Sequence, residues 1–100
     1  MLVLSASSHA VDVTSQAKIT GYFTGWSGDV VRVTLEGASY TESNCTTKDG
    51  YVTMETENNG YKTHTAALLS AYMSNRPVRI VVDGCTANGR PRIVGVYIEG

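Results

Sequence analysis

The side chains able to do covalent or acid–base chemistry in this sequence are few and scattered. His9 and His64 are the two histidines, and neither has a cysteine or carboxylate at metal-ligand or catalytic spacing. Glu55 and Glu57 share strand parity, which is what one solvated face of a sheet requires without further purpose. Asp12, Asp29, Asp49 and Asp83 fall in turn-like contexts, where an aspartate is favoured because its side chain bonds to nearby backbone amides. An active site needs a nucleophile beside a base, paired carboxylates or a ligand set. The sequence contains no phosphate loop, HExxH, GxSxG or calcium loop. It therefore reads as a binding or assembly module rather than an enzyme, and calls for no metal or cofactor.

The aromatic residues are more informative. Tyr22, Phe23 and Trp26 cluster together, while Tyr40, Tyr51 and Tyr61 are spread through a polar middle region beside Gly, Ser, Thr and Asn. A ring with an apolar face and a polar tip can stack and hydrogen-bond at once, which suits a sugar or a protein interface. Trp26 lies between Gly25 and Gly28, a turn that offers an indole little cover. Trp26, Tyr40 and Tyr51 are the candidate stacking residues, with Asp29 and Asn44 as their polar partners.

At 100 residues the chain has room for one domain, whose core alone gives modest stability. Charged residues are 17% of the total and the formal net charge is -1, so the electrostatic footprint of a nucleic-acid binder is absent. Residues 1–10 end in Ser8, His9 and Ala10, small enough at the right places for signal-peptidase cleavage, and are read as a residual signal peptide; the alternative is a loose or strand-forming terminus. The domain then spans residues 11–100. No apolar run is long enough for a transmembrane helix. Cys45 and Cys85, in a chain with an export-like start, are expected to form a disulfide, with two buried free thiols as the alternative. Closing that loop would stabilise the fold by about 4 kcal/mol in the chain-entropy model. The expected location is secreted or periplasmic.

These features need a scaffold, and the hydrophobic pattern provides one. Ala17–Thr24 is rich in β-formers, residues 25–29 have turn chemistry, and residues 29–36 alternate, with Val31, Val33 and Leu35 on one face. This is a hairpin, and Gly21 marks a bulge or a sharp bend in its first strand, of the kind a small barrel needs at its corners. Residues 51–57 are expected as a third strand after the Lys48-Asp49-Gly50 turn. Ala66, Leu68, Leu69, Tyr72 and Met73 then recur at helical spacing, with Thr63 or Thr65 as the cap. The helix must stop near Ser74, Asn75 and Arg76, because Pro77 lacks an amide hydrogen and pushes its predecessor out of helical geometry. Residues 78–83 and 92–99 are the last two strands. The order β-β-β-α-β-β is that of an OB-fold, a small, mainly β, partly open barrel.

Residues 68–82, Leu-Leu-Ser-Ala-Tyr-Met-Ser-Asn-Arg-Pro-Val-Arg-Ile-Val-Val, resemble the helix-to-strand passage in B subunits of bacterial AB-type toxins of the subtilase-cytotoxin and typhoid-toxin kind. The resemblance implies an exported OB-fold subunit that assembles as a homo-oligomer, a ring pentamer in that family, binds glycans or cell-surface glycoconjugates, and partners a toxin A-like subunit. No site residue is carried over from the family. The expectation is thus an exported carbohydrate-binding, toxin-B-like module. A different class, a secreted or periplasmic inhibitor or structural protein docking through its first hairpin, remains open.

Overall fold

A computed structural model describes residues 11–25 and 28–99. The proposed signal-peptide remnant, residues 1–10, and the Trp26 candidate lie outside the described residues. Six strands and one long helix follow in order: β1 (Val11–Val13), β2 (Ala17–Thr24), β3 (Val30–Leu35), β4 (Tyr51–Met54), α1 (Tyr61–Ser74), β5 (Pro77–Cys85) and β6 (Pro91–Ile98), with short 3-10 turns at Glu42–Asn44 and Glu55–Glu57.

The sheet closes on itself into a partly open barrel. β3 lies antiparallel between β2 and β4, β4 runs parallel to β6 at Val52 and Arg92, and β6 returns antiparallel to β5. β5 completes the ring by pairing with the start of β2 at Ala17 and Lys18. This is the strand order of an OB-like barrel, with the helix between its third and fourth barrel strands. The extra strand β1 continues along the same side of β5, from Val11 opposite Asp83 to Val13 opposite Val81. Thr14 bridges the interruption between β1 and β2: its amide donates to the Ile80 carbonyl and its hydroxyl accepts the Ile80 amide, both at 2.9 Å.

Alternation puts Ile19, Val31, Val33, Leu35, Tyr51, Val78, Ile80, Val82 and Ile93 into one core, which Leu68 and Ala71 of the helix close from the side. The predicted bulge is present, since the β2–β3 register slips by one residue between Ile19 and Gly21. The predicted helix stop also holds: Asn75 takes a left-handed conformation, φ 60°, and its amide donates to the last-turn carbonyls.

Three local expectations are corrected. The third strand ends at Met54, and residues 55–57 turn into a 3-10 helix. The helix begins at Tyr61 rather than at a threonine cap; Asn58 organises the entry by accepting the Gly60 amide at 3.0 Å and donating to the Ile93 carbonyl. The buried helix face is also rotated from the one expected. Leu68 and Ala71 are buried, whereas Ala66, Leu69, Tyr72 and Met73 are exposed. With little contrast between its faces, the helix takes its orientation from the barrel, where Tyr22 stacks on Tyr72 and its hydroxyl reaches the Thr65 carbonyl.

Cys45 and Cys85 form a disulfide. Among the described residues no helix is long and apolar enough to cross a membrane.

Candidate functional site

Two depressions lie toward opposite ends of β3. One is a groove of about 380 Å³ lined by Phe23, Thr24, Gly25, Val30, Arg32, Asn88 and Arg90. The other is a cleft of about 180 Å³ between the β1–β2 break, residues 35–39, Glu42 and Tyr51. Ligand pockets for small molecules generally occupy roughly 300–1,000 Å³, which favours the groove. Its position favours it too. It lies between the loop joining the first two barrel strands and the loop joining the last two, where OB-folds bind extended ligands.

The floor of the groove is a layered stack on the outer face of β2 and β3. Phe23 and Arg32 are directly opposite in the antiparallel register, so both side chains leave the sheet on the same side. The Arg32 guanidinium lies 4.1 Å from the Phe23 ring centroid, a cation–π contact. Two glycines make room for this stack. A Cβ at Gly21 would stand 2.6 Å from Phe23 Cε1, and one at Gly50 would stand 2.6 Å from Arg32 Cγ. The phenyl ring can therefore lie flat along β2, and the arginine stem can cross the start of β4. Phe23 remains 45% exposed, which is what a stacking surface requires.

The wall is built from residues remote in sequence. Arg32 Nη1 donates to the Asp49 carbonyl at 2.6 Å, while Arg90 grips the Asp49 carboxylate through both Nε and Nη2, the latter at 2.9 Å. This fork-to-carboxylate geometry holds the Asp49 carboxyl below the usual carboxylate range, chiefly through the Arg90 hydrogen bond. Asn88 and Arg90 sit on a tight turn in which Thr86 bonds to Asn88 and the Arg90 carbonyl, and the Gly89 amide donates to the Thr86 carbonyl at 2.9 Å. Glu57 supports that turn from behind by accepting the Ala87 amide at 3.0 Å and pairing with Arg92 at 3.4 Å. The groove thus offers the exposed edge of an aromatic ring, two guanidinium groups and the amide of Asn88.

The smaller cleft differs in chemistry. Tyr51 is 1% exposed, and its hydroxyl donates to Glu42 Oε1 at 2.8 Å. Burial first, and then the Glu42 contact, raise its pKa strongly. The Tyr40 hydroxyl accepts the Leu35 amide at 3.1 Å and donates to the Leu35 carbonyl at 3.3 Å, and its ring packs at 5.0 Å from that of Tyr51. Both tyrosines therefore fasten the barrel end, and Tyr51 is core rather than a stacking surface.

Of the five residues singled out from the sequence, the four among the described residues do not form one constellation. Tyr40 and Tyr51 touch each other at the cleft. Asn44 is exposed in the nearby 3-10 turn, with φ 50° and its amide bonded to Thr41. Asp29 is exposed in the turn at the groove end, where its carbonyl accepts the Glu55 amide at 2.9 Å. Phe23, Arg32, Asn88 and Arg90 were missed as a group. The only sequence signal for them was the parity that turns Arg32 outward; strict alternation from Ile19 would point Phe23 inward, and the bulge before Gly21 reverses it. Among the described residues, no cluster of three or more His, Cys, Asp or Glu side chains is arranged to hold a metal ion.

Compared with known proteins, the chain matches no protein-family model and none of the curated protein sequences.

Proposed function

We propose that this chain is an exported carbohydrate-binding module that takes an acidic sugar, one carrying a carboxylate or sulfate, in the groove between residues 23–25 and the turn of residues 88–90. The observation that carries the reading is the half-exposed Phe23 ring with the Arg32 guanidinium over it, in an open groove of suitable size. The apolar face of a pyranose packs against the exposed edge of this Phe23–Arg32 stack, the anionic substituent pairs with Arg32 and Arg90, and hydroxyls bond to Asn88 and Thr24. Arg32 uses one N–H of a five-donor fork for Asp49, so its structural role leaves donor capacity for a ligand. The disulfide supports export, since such bonds persist in oxidising compartments.

Assembly of several copies is the second part of the reading. Val11, Val13, Val81 and Tyr97 share the outer face of the β1–β5–β6 sheet, with Val11 60% and Tyr97 52% exposed. Arg79 and Asp83 lie on the same face, which is therefore mixed; a surface of this kind is a candidate contact between subunits, and the toxin-like resemblance points the same way.

A glycan array probed with the oxidised chain tests the first part. Retention of acidic but not neutral glycans, lost in Phe23→Ala and in Arg32→Ala, is the expected result. An array on which nothing is retained sinks the glycan reading and moves the search to a protein that docks on the first hairpin. Light scattering tests the second part; a strict monomer at micromolar concentration overturns it.

A further inference from the structure

We infer that the Cys45–Cys85 disulfide and Asp49 act as a clamp that positions the arginine wall of the groove, so that breaking the clamp weakens binding while the barrel stays folded. This rests on the reading of the groove as the ligand site. Cys85 ends β5 immediately before the turn that carries Asn88 and Arg90, and Cys45 begins the irregular arm, residues 45–50, that leads into β4. Beyond the covalent link the two segments run side by side. The Thr47 amide donates to the Gly89 carbonyl at 2.9 Å, and Gly89 packs so closely that a Cβ there would meet Thr46 Oγ1 at 2.5 Å. Asp49 then holds Arg90 by its carboxylate and Arg32 by its carbonyl. One short arm therefore sets both guanidinium groups.

The noncovalent part of the clamp is weak by itself. The Asp49 side chain is 48% exposed and that of Arg90 23%, so water and salt screen the pair. The arm has no strand pairing of its own between Cys45 and Gly50; Lys48 Nζ steadies it by donating to the Cys45 carbonyl at 2.6 Å. The covalent bond is what keeps arm and turn in register. The core cluster lies elsewhere, on β2, β3, the start of β4, α1, β5 and β6.

The bond is within reach of a reductant, because Cys85 is exposed while Cys45 is buried. A dithiol attacks one sulfur, supplies two electrons and two protons, and is itself oxidised to a disulfide. Cys45 and Cys85 are left as thiols.

The test follows amide hydrogen exchange and acidic-glycan affinity together, in the oxidised chain, in the chain reduced with dithiothreitol, and in Asp49→Asn with the disulfide intact. On reduction, the amides of Thr86, Gly89 and Arg90 should exchange about tenfold faster or more through local opening, those of Val33 and Ile80 should remain protected at the level of a still-folded barrel, lowered only by the lost loop-closure stabilisation, and affinity should fall by about tenfold. Asp49→Asn should reproduce the loop exchange and the loss of affinity to a smaller extent, about threefold. Unchanged exchange at the turn, or unchanged affinity in a protein that binds when oxidised, overturns the inference. Loss of protection throughout the barrel on reduction makes the bond a fold staple and also overturns it. If the oxidised chain binds no glycan, the function fails, but turn exchange in the reduced chain and in Asp49→Asn still decides whether the clamp exists.

Discussion

The two depressions along β3 contain similar residue types and use them in opposite ways. In the cleft, the hydroxyls of Tyr40 and Tyr51 are engaged by Leu35 and Glu42, so the aromatic pair seals the barrel and leaves no open ring face. In the groove, Phe23 has no polar tip to satisfy and lies outside the core, and two arginines are held by one aspartate. A polar aromatic in a turn-rich region is thus no better guide to a binding surface than a plain phenylalanine. What decides is whether the ring is committed to the protein's own packing.

Substitutions can break this contrast or sharpen it. Tyr51→Ala should have the largest effect on folding, destabilising the domain by about 3–5 kcal/mol in chemical denaturation, since it empties a fully buried ring site. Phe23→Ala should leave the unfolding free energy within about 0.5 kcal/mol of the parent, because the ring is half-exposed. Comparable losses for the two would erase the distinction between core and surface ring.

Removing the partner of the buried hydroxyl is a finer version. Glu42→Ala should cost about 1–3 kcal/mol, the penalty of leaving the Tyr51 hydroxyl unbonded, with glycan affinity unchanged. A fall in affinity there would tie the cleft to the ligand. On the groove side, Gly50→Ala should displace the Arg32 stem and lower acidic-glycan affinity about tenfold, equivalent to about 1.4 kcal/mol, as read by calorimetric titration. Unchanged affinity would mean that Arg32 is not set by its passage over residue 50.

The smallest effect is expected from acid. The folded pKa of Asp49 is lowered, so the stabilisation it contributes is present above the ordinary carboxylate range and is lost as pH falls through the folded value. Arg90 and Arg32 both face it. Amide protection at residues 86–90, taken relative to the intrinsic exchange rate at each pH, should therefore fall on acidification below about pH 4, and affinity for a sulfated sugar, whose own charge does not change there, should decline with it. A flat profile for both would show that the ion pair is not part of the clamp.

Much of the fold was legible because its signals are local. Alternation identified the hairpin of β2 and β3, Gly21 its bulge, and Pro77 with Asn75 the end of the helix. The inward face of β3 followed from parity alone. The helix face was not legible. Ala66, Leu69 and Met73 are as apolar as the residues that pack, and the choice between faces depends on where Tyr22 and the barrel wall stand. The strand expected over residues 51–57 was cut short because Asn58 ties the chain back to Thr53 and Ile93.

By itself, the sequence determined the succession of the helix and of every strand but β1, the inward face of β3 and the expectation of one disulfide, because periodicity, turn chemistry and cysteine content act within short stretches of chain. The groove was decided only by the tertiary structure. Phe23, Arg32, Asp49 and Arg90 come from four separate segments, and each is an ordinary strand or turn residue where it stands. They meet because closing the barrel brings β3 beside the start of β4 and because the Cys45–Cys85 bond lays the arm of one loop along the turn of another.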